Sequence, residues 1–524
     1  MQTDVLIVGA GPTGLMLANQ LARRGVRAQI IDRHPGPALQ TRALGVQART
    51  LEIYAQLGIV DEALELGKRA TGANLWAQGR FGARVPLGDI GRDLSPYPFL
   101  LILGQDDNER LLGDALRRWD MAVHWNTELV GLQQQADGVK ATLKQADGTL
   151  VDIDATWVAG CDGARSAVRE LNGIGFEGAP YEHVFFVADT QVTGPMVADE
   201  LNVYLWRDGF HLFFPMRGHD HWRVVGILPA ALRGQPDLGF EQVIPAVRAE
   251  VGDELSFKAC SWFSTYRIHH RRAERFRQGR CFLLGDAAHV HSPVGAQGMN
   301  TGLQDAYNLA WKLALVVTGR AGDALLDSFE AERVPVAQQL LNTTDRAFTL
   351  VASDSWPAGL LRTQVLAKVV ALAMRRERVR KLAFRTVSQT GIHYRGSPLS
   401  QTQSGLSADA PRAGDRFPWL RLRRLPGGAV EDLYPVLDDL HFHLVLFGQA
   451  APPPEEGEAH GWLRVHTIPD DADNASELER AKIVSPSFYL LRPDGHVGLA
   501  GGQLEPGVVA RYRWDRLRLA RRAD

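Results

Sequence analysis

The apolar and polar positions along the chain follow two periods. Residues 4–8 (DVLIV) are an uninterrupted apolar run. In the following LMLANQLARRG, Leu15, Ala18, Leu21 and Ala22 recur at helical spacing until Gly25. A continuous run suits a strand buried on both faces, and the wider spacing suits a helix with one buried stripe. VRAQIID (26–32) is a second buried strand, so the opening reads as a β-α-β unit. Residues 42–67 and 108–118 carry helical spacing, and TLVDIDATWVAGCDG (149–163) runs into a strand ending at Asp162-Gly163. RCFLLGD (280–286) is another buried strand, and 302–319 is an amphipathic helix closed by Gly319. Two stretches, about 72–103 and 181–270, have strand character and many aromatics, and they interrupt the α/β pattern as an inserted sheet.

From about 393 to 418 the composition shifts to Ser, Gln, Gly, Pro and Asp and reads as a linker. Beyond it HFHLVLFG and GWLRVHTIP read as strands, SFYLLRPDGHVGLAGG as a hairpin turning at Asp-Gly, and GVVARYRWDRL as a closing helix. A chain of 524 residues exceeds one core and implies two or three domains. The formal net charge of −2 offers no field for nucleic acid or an anionic membrane. The three cysteines, Cys161, Cys260 and Cys281, contain no C-x-x-C, which argues against a disulfide framework, a zinc ribbon and a dithiol centre. With no basic and apolar leader at the N-terminus, a reducing, cytoplasmic location is expected. Residues 359–374 are the most apolar later stretch, but Arg362 and Lys368 make them too charged to span a bilayer.

Three fingerprints carry chemistry. The first is Gly9-Ala-Gly11-Pro12-Thr13-Gly14, placed between a strand and a helix. Gly9 permits a tight turn, Gly11 a close approach of backbone to a pyrophosphate, and Gly14 close packing of helix on strand. Asp32, eighteen residues after Gly14, can accept from both hydroxyls of an adenosine ribose and would repel a 2′-phosphate. The second is Asp162-Gly163-Ala-Arg165-Ser166-Ala-Val-Arg169. Asp162 and Arg169 read equally well as ligands of ribose and phosphate or as a helix cap with a solvated arginine. The third is GDAAHVHSPVGAQGMN (285–300), with Asp286 at a strand end and Gly298, Met299 and Asn300 entering a helix. His289 and His291 invite a metal, but three local ligands without a completing set favour histidines packed at a turn, so no metal is expected.

The order GxGxxG, DGxxSxxR, GD with a glycine-rich helix entry resembles the class A (single-component) flavoprotein monooxygenases. These are the aromatic hydroxylases related to p-hydroxybenzoate hydroxylase, and the resemblance covers about residues 1–395. It implies FAD as cofactor and NADPH or NADH as co-substrate, with no second GxGxxG unit for the latter. It further implies that Asp286 holds the ribityl chain and that the Met299-Asn300 backbone faces the flavin pyrimidine edge. Arg33 matches an adenosine-stacking arginine, Arg42 a flavin-contacting arginine, and Gln105 a glutamine that binds FAD. Residues about 410–524 look like the thioredoxin-like domain of larger relatives such as phenol, polyketide and rifampicin hydroxylases. Here it lacks C-x-x-C, which suits a structural or dimer-related role and a homodimer. The expected fold class is α/β: a Rossmann-like FAD-binding domain (1–75, 104–180, 272–395), an inserted substrate-binding sheet domain (76–103, 181–271), a linker (396–417) and a thioredoxin-like domain (418–524).

What the resemblance implies for activity is hydroxylation of a phenolic or polycyclic aromatic, with O2 activated as the flavin C4a-hydroperoxide. The alternatives are Baeyer–Villiger oxidation or epoxidation on the same scaffold, or a non-catalytic FAD-containing drug-binding protein. Pocket candidates are Trp206, Phe210, His211, Phe213 and Pro215, with Pro293 near the flavin. On one regular strand only Trp206, Phe210 and Phe214, or else His211, Phe213 and Pro215, can share a face. Truncation after about residue 400 is expected to leave the FAD site formed, because all three fingerprints precede it.

Overall fold

The computed structural model of the chain describes residues 2–38, 43–206, 209–232, 234–235, 237–252, 254–291, 296–352, 363, 367–452 and 461–519. At 181–182, 230, 268, 344–352 and 367 it describes the backbone alone. The first fingerprint joins β1 (Gln2–Val8), α1 (Pro12–Ala22) and β2 (Ala28–Ile31), and α2 (Ala48–Leu57) and α3 (Gln105–Arg117) follow. Then come β3 (Leu150–Gly160) and α4 (Ala167–Leu171). The inserted sheet holds β4 (Phe176–Thr193), β5 (Leu201–Trp206), β6 (Gly209–Pro215), β7 (His221–Ile227) and β8 (Ser256–Ala273), with α5 (Phe240–Val251) between the last two. The chain returns through β9 (Cys281–Leu283), α6 (Gly298–Val317) and the long α7 (Asp327–Ala352). The C-terminal sheet contains β10 (Gln401–Thr402), β11 (Phe442–Phe447), β12 (Leu463–Ile468), β13 (Ser487–Leu491) and β14 (Val497–Gly501).

The register of the first sheet brings the three fingerprints together. Strands β9, β3, β1 and β2 lie side by side and parallel, with Val8 opposite both Gly160 and Ile31, and Gly160 opposite Leu283. Ligands of open α/β sheets bind beyond the carboxyl ends of such strands. All three glycine-rich segments leave the sheet at that edge. Helix α6 is buried along most of its length, and its apolar residues join those of β1, β3 and α1 in one core. A helix buried on all its faces needs cover on every side, for its buried Asp305, Asn308 and Lys312 as well as for its apolar residues. The C-terminal unit supplies part of that cover: Trp311 on α6 packs in a cluster with Phe442, Leu444, Phe488 and Tyr512.

In the inserted sheet the order is β8-β4-β7-β6-β5, continued by Gly72–Ala77 and Arg80–Pro86. Helix α5 covers one face, packing Val243 and Val247 with Phe213, Tyr204 and Val224. Residues 201–215 are two strands of a hairpin, with Trp206 opposite Gly209 and Tyr204 opposite His211. The single regular strand assumed for the aromatics is therefore corrected, because a reversal between two strands resets which residues share a face.

The linker reading of 396–417 is corrected too. Within it Leu399, Ala410, Ala413 and Phe417 are buried, and β10 pairs with β14 as the outer strand of the C-terminal sheet. Polar composition marked the segment as loop, but its few apolar residues are spaced to reach the core. Next to it in that sheet β14 and β13 are antiparallel, β13 and β11 antiparallel, and β11 and β12 parallel. Among the described residues no helix is long and apolar enough to cross a membrane.

Two outcomes follow from this architecture. Truncation after residue 400 uncovers Trp311 and its neighbours on α6, so the shortened protein is expected to aggregate. A soluble, monodisperse, yellow fragment on size-exclusion chromatography would contradict this. The second outcome concerns His466, whose Nε2 lies 2.9 Å from His443 Nδ1. Burial and then the His443 ring push His466 down to about 4. The unfolded chain takes up this proton first, near pH 6.5. Stability is thus complete above pH 6.5 and declines as the pH falls toward 4. His466→Gln should flatten that decline between pH 6.5 and 5 in thermal melts; an unchanged slope would exclude this pair as its source.

Candidate functional site

The phosphate end of the site rests on three glycines with different duties. Gly9 adopts φ +102°, and a Cβ there would lie 2.7 Å from the Asp162 Cα. A Cβ on Gly14 would collide with the Gly9 carbonyl. Both are consumed by close packing of the turn against β3. Gly11 is different: nothing lies within 4 Å of a Cβ placed there. It faces open space at the start of α1, whose N-terminus has no side-chain cap. Free N–H groups and a positive helix end in front of an open glycine form a cradle for a pyrophosphate. Thr13 locks this turn to the third fingerprint, because added Cβ atoms on Gly285 and Gly302 would both run into its hydroxyl.

At the ribose end, one Asp32 oxygen accepts from Ala10 N at 2.7 Å. The other accepts from His34 N at 2.8 Å and lies 2.7 Å from His34 Nδ1. A carboxylate has about four lone-pair sites. Asp32 therefore has room for one ribose hydroxyl, where its spacing had suggested two. Arg33 lies beside it in a groove of about 360 Å³ shared with Asn126 and Lys144. Gln105 opens α3 and donates through its amide to Glu109 Oε1 at 2.8 Å. Glu109, which the sequence reading omitted, is buried, and its second oxygen accepts from Ala38 N at 2.8 Å. Burial raises its carboxyl, and Asp32 and Asp106 add to that. Its place four residues after Gln105, on the same helix face, was the available signal.

The second fingerprint is used structurally. Asp162 accepts from Ser166 Oγ at 2.5 Å and from Val168 N at 3.2 Å, capping α4. Arg169, expected as a possible phosphate ligand, is only 5% exposed. Its guanidinium donates to Ala287 O at 3.1 Å and Ala164 O at 2.8 Å, and stands 4.0 Å over the Phe176 ring. Both arms are spent on carbonyls, so Arg169 ties the second fingerprint to the third.

In the third fingerprint Asp286 is exposed at the end of β9, while its neighbours are buried. Gly285 N donates to Asp305 Oδ2 at 2.9 Å, and His289 Nε2 lies 2.7 Å from the same oxygen. Arg333 Nε donates to Asp305 Oδ1 at 2.6 Å. Burial alone would raise the Asp305 carboxyl, but Arg333 and then His289 outweigh it and hold it below the ordinary range. His289 thus braces the turn, and no group of three metal-ligating side chains occurs among the described residues. The Asn300 side chain accepts from Gln47 N (2.9 Å) and Thr50 Oγ1 (2.7 Å), and donates to Gly45 O and Ala296 O (both 2.8 Å). With that amide consumed, what remains for a ligand is the backbone at the start of α6, which has no side-chain cap. Met299 Sδ accepts from Asn108 at 3.3 Å, and a Cβ on Gly298 would come within 3.3 Å of the His291 ring. Arg42 and Pro293 lie outside the described residues.

The aromatics divide between the two faces of the inserted sheet. Trp206 and His211 stack at 5.6 Å, and His211 Nε2 lies 2.7 Å from Glu250 Oε2 on α5. Phe213 is fully buried in the cluster under the same helix. Pro215 shares that strand parity. These four therefore point away from the cradle. Phe210 lies on the opposite face with Phe185, beside half-buried Leu212, Val225 and Tyr266. Phe214, on that face, packs against Leu44 and Leu100, next to the residues that hold Asn300. Among the described residues of the expected pocket set, only Phe210 stays on the face that also carries Phe214.

Known proteins share this arrangement. The FAD binding domain family matches residues 2–344. The chain is 34% identical to the 6-methylpretetramide 4-monooxygenase of Streptomyces rimosus over 95% of its own length and 90% of that protein. Its fold is similar to anhydrotetracycline hydroxylase from Streptomyces rimosus, with a TM-score of 0.79, 27% identity and 99% of each chain covered. A ternary complex of aklavinone-11 hydroxylase with FAD and aklavinone aligns with a TM-score of 0.81 and 25% identity, covering 98% of this chain and 99% of that one.

The cradle separates two substitutions. Gly14→Ala cannot be accommodated and should abolish soluble yellow protein, whereas Asp286→Ala should fold normally and lose one charge-assisted contact. Such a loss costs roughly 1.5–3 kcal/mol, or about ten- to a hundredfold in FAD affinity. Unchanged FAD retention by Asp286→Ala in a fluorescence titration would remove that residue from the site.

Proposed function

Since this chain belongs to the FAD binding domain family and is an FAD-dependent aromatic monooxygenase of the single-component class, we propose that its substrate is a fused-ring phenol. The observation that carries this reading is the apolar face of the inserted sheet opposite α5, where Phe185, Leu205, Phe210 and Ile227 are buried. Val203, Leu212, Phe214, Val225 and Tyr266 stand half-buried on it, and it ends against the cradle. From Phe210 to Phe214 the strand advances about 13 Å at roughly 3.3 Å per residue. A wall of that length suits several rings in a row better than one. The named relatives act on tetracycline-type or anthracycline-type substrates, which supports the same class.

The residues present fit the cofactor. Gly11 with the α1 N-terminus would take the pyrophosphate, Asp32 a ribose hydroxyl, Gln105 and Asp286 the chain between them, and the α6 backbone the flavin edge. When bound, FAD accepts hydride from NAD(P)H and then lets O2 deliver one oxygen atom to the ring, the other leaving as water. The chain's own part is positioning and exclusion of water. The apolar wall holds the ring flat against the cradle and keeps the site dry. Tyr266 brings a phenol hydroxyl to that wall, and burial pushes it up to about 12. It therefore stays protonated at neutral pH and offers a donor to the substrate's phenolic oxygen. The thioredoxin-like reading of the C-terminal unit is supported by its parallel pair followed by an antiparallel hairpin.

The test is stimulated NADPH and NADH oxidation across monocyclic and fused-ring phenols, with mass spectrometry for a product heavier by one oxygen. Fused-ring phenols should stimulate most and give the +16 product. Preference for monocyclic phenols would overturn the substrate class, and Phe214→Ala should weaken KM for the larger ring system more than for phenol itself.

A further inference from the structure

The hairpin joining β13 to β14 has the sequence Arg492-Pro-Asp-Gly-His496, a composition expected at a solvated turn. Here the turn is buried: Arg492 is 1%, Asp494 2% and His496 4% exposed. It is wedged between α2, α6 and α7. Arg492 donates to both Glu332 oxygens on α7, at 2.6 and 3.0 Å, and its Nε donates to Asp494 Oδ1 at 3.1 Å. Glu332 also accepts from Lys312 Nζ (2.7 Å) and Asn308 Nδ2 (2.7 Å) on α6, and from Ser397 Oγ (2.6 Å). The Asp494 carboxylate accepts from Trp311 Nε1 at 3.1 Å, and its carbonyl accepts from Arg49 on α2 at 2.5 Å.

The Glu332 and Arg49 contacts lead back to the cradle. Glu332 adjoins Arg333, which grips Asp305 and so the amide of Gly285. Arg333 also donates to Tyr394 Oη at 2.9 Å, and the Tyr394 ring lies 4.3 Å from that of His496. Arg49 is one residue from Thr50, which holds Asn300 at the flavin edge. We infer that the turn 492–496 is a positioning element for the flavin: through Glu332–Arg333 and through α2 it sets the spacing of the 285–289 turn and the α6 entry. A C-terminal unit without C-x-x-C thereby acts on FAD through buried charge rather than through thiols.

The inference rests on FAD occupying the cradle. Two full-length holoenzymes test it: Tyr394→Phe, which removes one hydroxyl, and the double variant Glu332→Gln with Arg492→Met. The double variant removes one charge of each sign, leaving Lys312 and Asp494 balanced, and keeps the apolar stem of the arginine. FAD released on serial dilution is read by its fluorescence, the bound flavin by its visible spectrum, and folding by circular dichroism and melting of the same samples. With far-UV spectra unchanged, FAD should dissociate about threefold more readily in Tyr394→Phe and about tenfold more readily in the double variant, with altered flavin bands. If the double variant does not fold, Tyr394→Phe decides alone. Parental FAD affinity and spectrum in the folded variants would overturn the inference. A parent protein that bound no FAD would instead sink the cofactor reading on which it rests.

Discussion

Every feature of the site depends on one steric constraint, the close approach of α1 to the third fingerprint at Thr13. The hydroxyl of Thr13 fills the space where side chains on Gly285 and Gly302 would stand. That contact closes α1 onto α6 across the edge where β1, β3 and β9 end in register. Two uncapped helix N-termini, those of α1 and α6, are thereby brought to one edge of the sheet. The sheet register and Arg169 bring the three turns to one edge, and the Thr13 contact is what closes α1 onto α6 there.

A second layer consists of charge taken out of water. Asp305, Arg333, Glu332, Arg492 and Lys312 are all essentially inaccessible. Placing such groups in the interior is costly, and removing one partner of a buried pair typically costs about 3–5 kcal/mol. The pairing is close to complete. Glu332 is held down at about 2 against its own burial by Arg492 and Lys312, while burial draws Lys312 down to about 8. Well-packed apolar residues would stabilise such an interface at least as well. What charge adds is direction, because hydrogen bonds between fixed forks and carboxylates allow one relative placement of α6, α7 and the C-terminal hairpin. An enzyme that must hold a flavin and a ring in one geometry gains from that specificity.

How legible each part was in the sequence depended on whether its cause was local. The GxGxxG unit could be read because turn, strand and helix all lie within thirty residues. His289 was readable as a histidine packed at a turn because three local ligands had no completing set, and its ring does lie 2.7 Å from Asp305 Oδ2. Asp162 and Arg169 stayed ambiguous, since a capping aspartate and a ligand aspartate occupy the same place in a pattern. Glu109 was missed because its role arises from Ala38, distant in sequence. The pocket aromatics were misassigned because alternation fixes faces only within one strand, and the hairpin reverses between Trp206 and Gly209.

The sequence by itself determined the β-α-β opening, the glycine-rich dinucleotide fingerprint and the strand character of the inserted sheet, because each is encoded in short-range periodicity or in glycines that backbone geometry demands; the class of chemistry followed from the family resemblance that the order of the three fingerprints carries. Only the tertiary structure decided which face of the inserted sheet each aromatic takes, that the polar stretch before residue 418 is packed into the C-terminal sheet, and that the RPDGH turn is buried. These depend on which surfaces meet after folding. A polar or charged residue reads as solvated until its partner, here up to several hundred residues away, is brought within hydrogen-bonding distance.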